Sequence, residues 1–297
     1  MMENIEETFN EILACDIQEA MKYANDGFES TGNSEYLIYI GHCYLVQGCF
    51  EEAIAAIDLA FELGCDYIVY GYNIKGEALL ELGLYAESRR CFERVLKEEQ
   101  EQYLANTFLI ELDIRENFYV DAINRCIDYI EKYECDNIQI ANFKCIIGWT
   151  YLIDLNNSEL AKEALIESIQ ANDKCGRSYT GLGIYEANNK NFEKAIMYFN
   201  KAIEINENDG ENYFALAICY KALKKYDFIE EYLIKANTLE PEDNRVIEEY
   251  AYELLRQGRN SEAIEYFKEI TDGSIDSQEI KNLIINLEEN ENNKEIE

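Results

Sequence analysis

A small residue returns about every 34 positions along most of this 297-residue chain, and that period leaves few ways to fold it. Two series run in parallel. One reads Gly41, Gly76, Ile110, Gly148, Gly183, Ala217, Ala251, at intervals of 35, 34, 38, 35, 34 and 34. The other reads Ala53, Ser88, Ala122, Ala161, Ala195, Ile229, Ala263, at intervals of 35, 34, 39, 34, 34 and 34. Four residues after the second series comes a bulkier apolar residue in most units: Ile57, Phe92, Cys126, Leu165, Phe199, Leu233, Phe267. Three further on stand Ala60, Val95, Tyr129, Ser168, Ala202, Ala236 and Ile270. Offsets of four and seven lie on one face of a helix. The small residues let two helices approach closely, and the large ones fill the space beside them. The chain has one proline, Pro241, so helix interiors run uninterrupted. Period-two apolar runs bounded by turn residues are not evident. The sequence predicts an all-α chain of antiparallel helix pairs.

These residues resemble the tetratricopeptide repeat family, whose unit is a 34-residue helix-turn-helix. The clearest copy is 176–209, GRSYTGLGIYEANNKNFEKAIMYFNKAIEINEND, and 36–65 and 244–270 are close to it. Pro241 stands where the family often closes a repeat. The resemblance covers residues 34–271 in seven units and implies a right-handed superhelical solenoid. Residues 1–33 read as capping helices or a partial repeat, with Ala20 and Ala24 resembling a second helix of a unit. Residues 272–297 read as a capping helix, opened by Asp276 or Ser277, followed by a frayed acidic tail. The third unit departs from the pattern, with Ile110 for glycine and Asp113 where a large apolar residue is usual. The extra length before the fourth unit lies mostly in 131–140, with one more residue in the Leu155-Asn156-Asn157 turn. The longer segment could alter local curvature; the expectation is a neutral surface insertion.

Composition narrows the function. There are 60 acidic against 26 basic residues, a formal net charge of −34. At 48% hydrophobic and 12% aromatic the chain is too apolar for a disordered acidic polymer. The charge argues against nucleic acid as a partner and against docking on anionic membranes. No apolar run of membrane-spanning length and no signal-peptide pattern are seen, so the expected location is cytoplasmic. Ten cysteines contain no C-x-x-C pair, and they read as free thiols acting as small hydrophobes. The single histidine, His42, precludes a multi-imidazole site, and phosphate-loop and nucleophile-elbow motifs are absent. Acidic clusters such as Glu51-Glu52 lack the calcium-loop pattern. The expectation is no enzyme, no cofactor and no metal. The Asn, Ile, Lys and Glu bias fits an AT-rich bacterial genome.

The resemblance implies a scaffold that binds a protein or peptide segment in its concave groove, with the first helix of each unit lining it. Off-seam residues there are Glu35, Tyr39 and His42; Tyr70, Asn73 and Glu77; Thr107, Phe108 and Glu111; Asn142 and Trp149; Arg177 and Thr180. Further along come Glu211, Phe214 and Lys221, then Arg245, Glu248, Tyr252 and Arg256. Some family members clamp a carboxylate terminus with Lys, Asn and Arg. Here Ile38 and His42, Asn73 and Glu77, and Thr107 and Glu111 occupy those places, so a carboxylate clamp is not expected. Residues 1–74 hold 14 acids and one base, Lys22, whereas 141–209 hold 10 acids and 7 bases. The N-terminal third is therefore the expected dock for a basic segment. Two alternatives stand beside the scaffold: a peptide-sensing bacterial regulator acting through protein contacts, and the accessory arm of an enzyme complex.

Overall fold

A computed structural model describes residues 5–273 and 278–296, and every regular element among them is helical. Helices α1 (Ile5–Leu13) and α2 (Ile17–Thr31) precede seven pairs. The pairs are α3 (Glu35–Val46) with α4 (Phe50–Glu62), α5 (Ile68–Glu81) with α6 (Tyr85–Glu98), and α7 (Tyr103–Arg115) with α8 (Tyr119–Lys132). Then come α9 (Asn137–Trp149) with α10 (Ser158–Ala171), α11 (Gly176–Asn188) with α12 (Phe192–Ile205), α13 (Gly210–Ala222) with α14 (Ile229–Leu239), and α15 (Asn244–Arg256) with α16 (Asn260–Gly273). Helix α17 runs Gln278–Ile296, through the segment expected to be a frayed tail. The expected caps Asp276 and Ser277 lie outside the described residues.

The seam of each pair follows the two residue series. A Cβ at Gly183 would stand 2.5 Å from the Phe199 ring. At Gly76 it would stand 2.7 Å from Phe92, and at Gly148 2.6 Å from Leu165. Only glycine allows these crossings without displacing a buried side chain. The third pair reverses the sizes: Ile110 takes the glycine position and Cys126 the bulky one, and both are buried. Ser88 and Ser168, small residues on second helices, are buried too. Each satisfies its hydroxyl by donating 2.7 Å hydrogen bonds to the carbonyls of Gly76 and Ala141.

The seven pairs fall into two compact units, Met1–Glu134 and Cys135–Glu297. The boundary lies in the 131–140 segment expected to be a neutral insertion. Tyr133 is extended (φ −116°, ψ 156°) and ends α8. Asp136 then opens α9 with a full capping box: Gln139 N–H donates to its carboxylate at 2.8 Å, and Gln139 Oε1 accepts from Asp136 N–H at 3.2 Å. In the first unit α1 and α2 close the apolar end, with Phe9, Ala20 and Ala24 fully buried. In the second, α17 lays Ile280 and Ile284 against the last pair. The extra residue expected in the Leu155-Asn156-Asn157 turn sits instead in a π-helical turn, Thr150–Asp154, closed by Leu155 N–H donating to Thr150 C=O at 3.0 Å. A π turn absorbs one inserted residue without breaking the helix.

Each pair turns through one left-handed residue: Gly48, Gly83, Asn117, Asn156, Lys190, Lys224 and Gly258, with φ from 48° to 80°. Lys190 and Lys224 are exposed and carry a side chain where the backbone disfavours one. Lys190→Gly and Lys224→Gly should each raise stability by about 0.5–1 kcal/mol, the relief of left-handed strain less the extra freedom glycine gives the unfolded chain. Thermal unfolding of the two variants checks this, and an unchanged or lower midpoint would refute it.

Candidate functional site

Within each unit the first helices of successive pairs approach one another directly: α3, α5 and α7 in one, α9, α11 and α13 in the other. Second helices stand further apart, so the first-helix face is the inner one. In the first unit this face holds a pocket of about 440 Å3. His42 comes from α3, and Tyr70, Asn73 and Glu77 from α5, one helical turn apart, which aligns them on one stripe. Glu6 of α1 and Tyr67 form one wall, and Tyr67 donates its hydroxyl to the Glu6 carboxylate. Tyr70 Oη lies 2.6 Å from His42 Nδ1, so the ring and the phenol hold each other in place.

The pocket sets acidic groups among apolar walls from Leu45, Val69, Ile74 and Leu104. Glu6, Glu77 and Glu99 line it, and neither lysine nor arginine does. Asn73 is 5% exposed, and its side-chain oxygen has no hydrogen-bond partner. Burial, reinforced by Glu81 and Glu111, raises the Glu77 carboxyl above the usual carboxylate range. Burial lowers His42, which favours the neutral ring. Burial also pushes the Tyr70 and Tyr67 phenols up, so both stay protonated.

Other residues expected on the groove are placed differently. Tyr39 is fully buried, its ring 4.6 Å from that of Phe9 and its hydroxyl donating to Glu35 at 3.1 Å. Helix α1 covers it, so it is core and not groove. Thr180 is 4% exposed and donates to Asn212 Oδ1 at 2.9 Å across to α13, which makes it part of the seam between pairs. Phe108 is half-buried and stacks on Phe92 at 4.8 Å. Thr107 donates back to Tyr103 C=O at 3.0 Å, and Glu111 pairs with Arg115 at 2.6 Å. Asn142 is half-buried on α9 of the second unit. There Trp149 donates Nε1–H to Arg177 C=O at 3.1 Å, while the Arg177 guanidinium lies over its ring.

Toward the end of the chain, Arg245 covers the Phe214 ring and bridges Glu211 and Asp243 at 2.7 Å each. Glu211, Glu240 and Asp243 are close enough to chelate a cation, but Arg245 already occupies two of the three carboxylates. Lys221 pairs with Glu249, Arg256 pairs with Glu253 at 2.5 Å, and Tyr252 is exposed. A larger cleft of about 580 Å3 is lined by residues of α6, α7 and α8, where Arg89 and Arg125 already pair with Asp113 and Asp121, Asp128 and Lys132 complete the charged lining. Among the pocket members missed from the sequence, Glu6 lies on α1, outside the repeat register, and Tyr67 and Glu99 sit at the caps of α5 and α6, off the first-helix stripe.

Residues 69–102 and 176–209 match the family model described as tetratricopeptide repeat. The chain carries tetratricopeptide repeats. Solved structures of the same fold include the crystal structure of the APC/C hetero-tetramer Cut9–Hcn1, with a TM-score of 0.64 at 17% identity, covering 91% of this chain and 52% of that one. Pseudomonas aeruginosa pilF matches with a TM-score of 0.57 at 13% identity, covering 71% of this chain and 94% of that one. Among curated proteins, Superkiller protein 3 of Schizosaccharomyces pombe is 21% identical over 240 residues, 71% of this chain and 16% of that protein. The human mitochondrial import receptor subunit TOM70 is 28% identical over 119 residues, 40% of this chain and 18% of its own length. The chain thus spans less than a fifth of these curated relatives. Tetratricopeptide-repeat proteins typically mediate protein–protein interactions. Among the described residues no helix is long and apolar enough to cross a membrane.

Proposed function

We propose that the chain is a non-enzymatic scaffold that seats a basic protein segment on the inner face of its first unit, with a lysine or arginine side chain entering the pocket at Asn73 and Glu77. The carrying observation is the buried, unpartnered Asn73 oxygen beside Glu77 in a pocket lined by no basic residue. A cation with several N–H donors satisfies both groups at once. The excess of acids in residues 1–74 draws such a segment in from a distance. Ten free thiols fit a reducing compartment, and this reading places the protein in the cytoplasm.

Glu77→Gln tests the reading because it moves stability and binding in opposite directions. A carboxyl raised on folding contributes stability that is fully present below its unfolded pKa and is lost as pH rises through its folded one. Glu77 is raised, so its ionised form strains the free protein at neutral pH, and Gln removes the strain. Stability at pH 7 should therefore rise. Affinity for a synthetic lysine-rich peptide should fall about tenfold, or about 1.4 kcal/mol. Wild-type affinity should increase as pH rises through the Glu77 titration and weaken with added salt. Titration calorimetry of both proteins measures this. Equal affinity of wild type and variant, or equal binding of an acidic peptide, would sink the proposal.

A further inference from the structure

A chain with 60 acidic and 26 basic residues sets two bases side by side only at Arg89-Arg90 and at Lys224-Lys225. The arginines are already paired, Arg89 with Asp113 and Glu116, and Arg90 with Glu87. The lysines are not. Both are exposed in the turn between α13 and α14, and among the described residues neither has an ion-pair partner. Lys221, near the end of α13, is held by Glu249. The chain is exposed at every residue from Lys224 to Phe228, including two aromatic rings, Tyr226 at 38% and Phe228 at 45%. This crest is braced: Phe228 stacks on Tyr220 at 4.9 Å, and Arg256 lies over the Tyr226 ring at 4.4 Å. At the matching turn one pair earlier a single lysine, Lys190, stands between asparagines.

We propose that this turn, supplied by a second copy of the chain, is the basic segment received by the pocket of the first unit. The inference rests on the pocket reading above and names its occupant. The pocket lacks what the turn carries. Glu6, Glu77 and Glu99 line it with no lysine or arginine, and the buried Asn73 oxygen has no donor. A lysine ammonium brings a positive charge and three N–H donors. Its four-carbon stem lets the ammonium enter while the turn backbone stays outside. Next to it in sequence, Tyr226 offers an exposed ring to the apolar walls from Leu45, Val69 and Leu104, the kind of contact that interface cores favour.

The charge of −34 on each copy opposes association at long range. At physiological ionic strength, exposed charges more than about 8 Å apart are largely screened, so close pairs between turn and pocket outlast the general repulsion. Within the exposed run the two lysines face one carboxylate, Asp227. A contact of turn with pocket is heterologous. Each copy that joins leaves one turn and one pocket free, so assembly proceeds head to tail, as a ring or an open chain.

Sedimentation equilibrium of the full chain at physiological salt tests this. The mass of the wild type should rise with concentration beyond that of a single chain. Glu77→Gln removes charge from the pocket, and Lys224→Glu with Lys225→Glu reverses it on the turn. Either variant alone should self-associate at least about tenfold more weakly. Mixed in equal amounts, the two should regain one contact and stop at a pair, because one brings the intact turn and the other the intact pocket. That recovery also shows that both variants are folded. A wild type that stays single at every concentration, or a mixture no heavier than its components, would overturn the proposal. So would association lost with the turn variant but kept with Glu77→Gln. The pocket reading is judged apart from this: a single chain that still binds the lysine-rich peptide through Glu77 keeps that reading and refutes only the second copy as occupant.

Discussion

Asp113→Leu should lower the unfolding free energy of the first unit by about 3 kcal/mol, the low end of what stranding a buried ion-pair partner costs. The sequence pattern calls for a large apolar residue at this position, so leucine looks restorative. The structure gives the opposite sign. The Asp113 side chain is 4% exposed and is gripped from two helices, by Arg89 Nη1 at 2.8 Å and Arg125 Nε at 3.0 Å. Leucine would leave two guanidinium groups facing an apolar side chain. Their own exposures, 23% and 32%, allow partial rehydration, and Arg89 keeps Glu116 at 2.5 Å. Those two facts set the low end. Changing all three residues together to apolar ones should recover most of the loss, since the only charge then stripped of its partner is Glu116, which at 28% exposed still reaches water. Denaturant unfolding of the single and triple variants decides it. A single variant within 1 kcal/mol of wild type, on the order of an exposed pair's worth, would show that the network contributes only as a surface ion pair does.

Gly183→Ile should cost about 3 kcal/mol, and Phe199→Cys in the same chain should restore much of it. The first half follows from the 2.5 Å that would separate a new Cβ from a ring that is itself 1% exposed and has nowhere to move. The second half copies an arrangement the protein already uses, the Ile110 and Cys126 seam of α7 and α8. If the double variant is less stable than Gly183→Ile alone, the seam depends on backbone separation set elsewhere and not on the summed volume at the crossing. Circular dichroism during heating distinguishes the two cases.

The fold was legible because a close helix crossing demands small residues, and small residues at a fixed period survive as a readable signal. Asp113 was visible as an exception, but its partners were not, because Arg89 and Arg125 reach it from helices on either side of α7. The pocket residues Tyr70, Asn73 and Glu77 share a stripe that helical spacing alone predicts. Tyr39 and Thr180 share that logic and still lie buried, since α1 covers one and α13 captures the other.

Helix α1 has two roles: it closes the apolar end of its unit through Phe9, and it supplies Glu6 to the pocket. Repeat arrays open most easily from their ends. Each excursion in which α1 peels away therefore also dismantles one wall of the pocket proposed to seat a basic side chain. Affinity is scaled by the fraction of time the end stays shut, and an occupant of the pocket must in turn slow amide exchange in Ile5–Leu13. End-fraying, ordinarily a nuisance of solenoids, here becomes a variable that a partner can both sense and set.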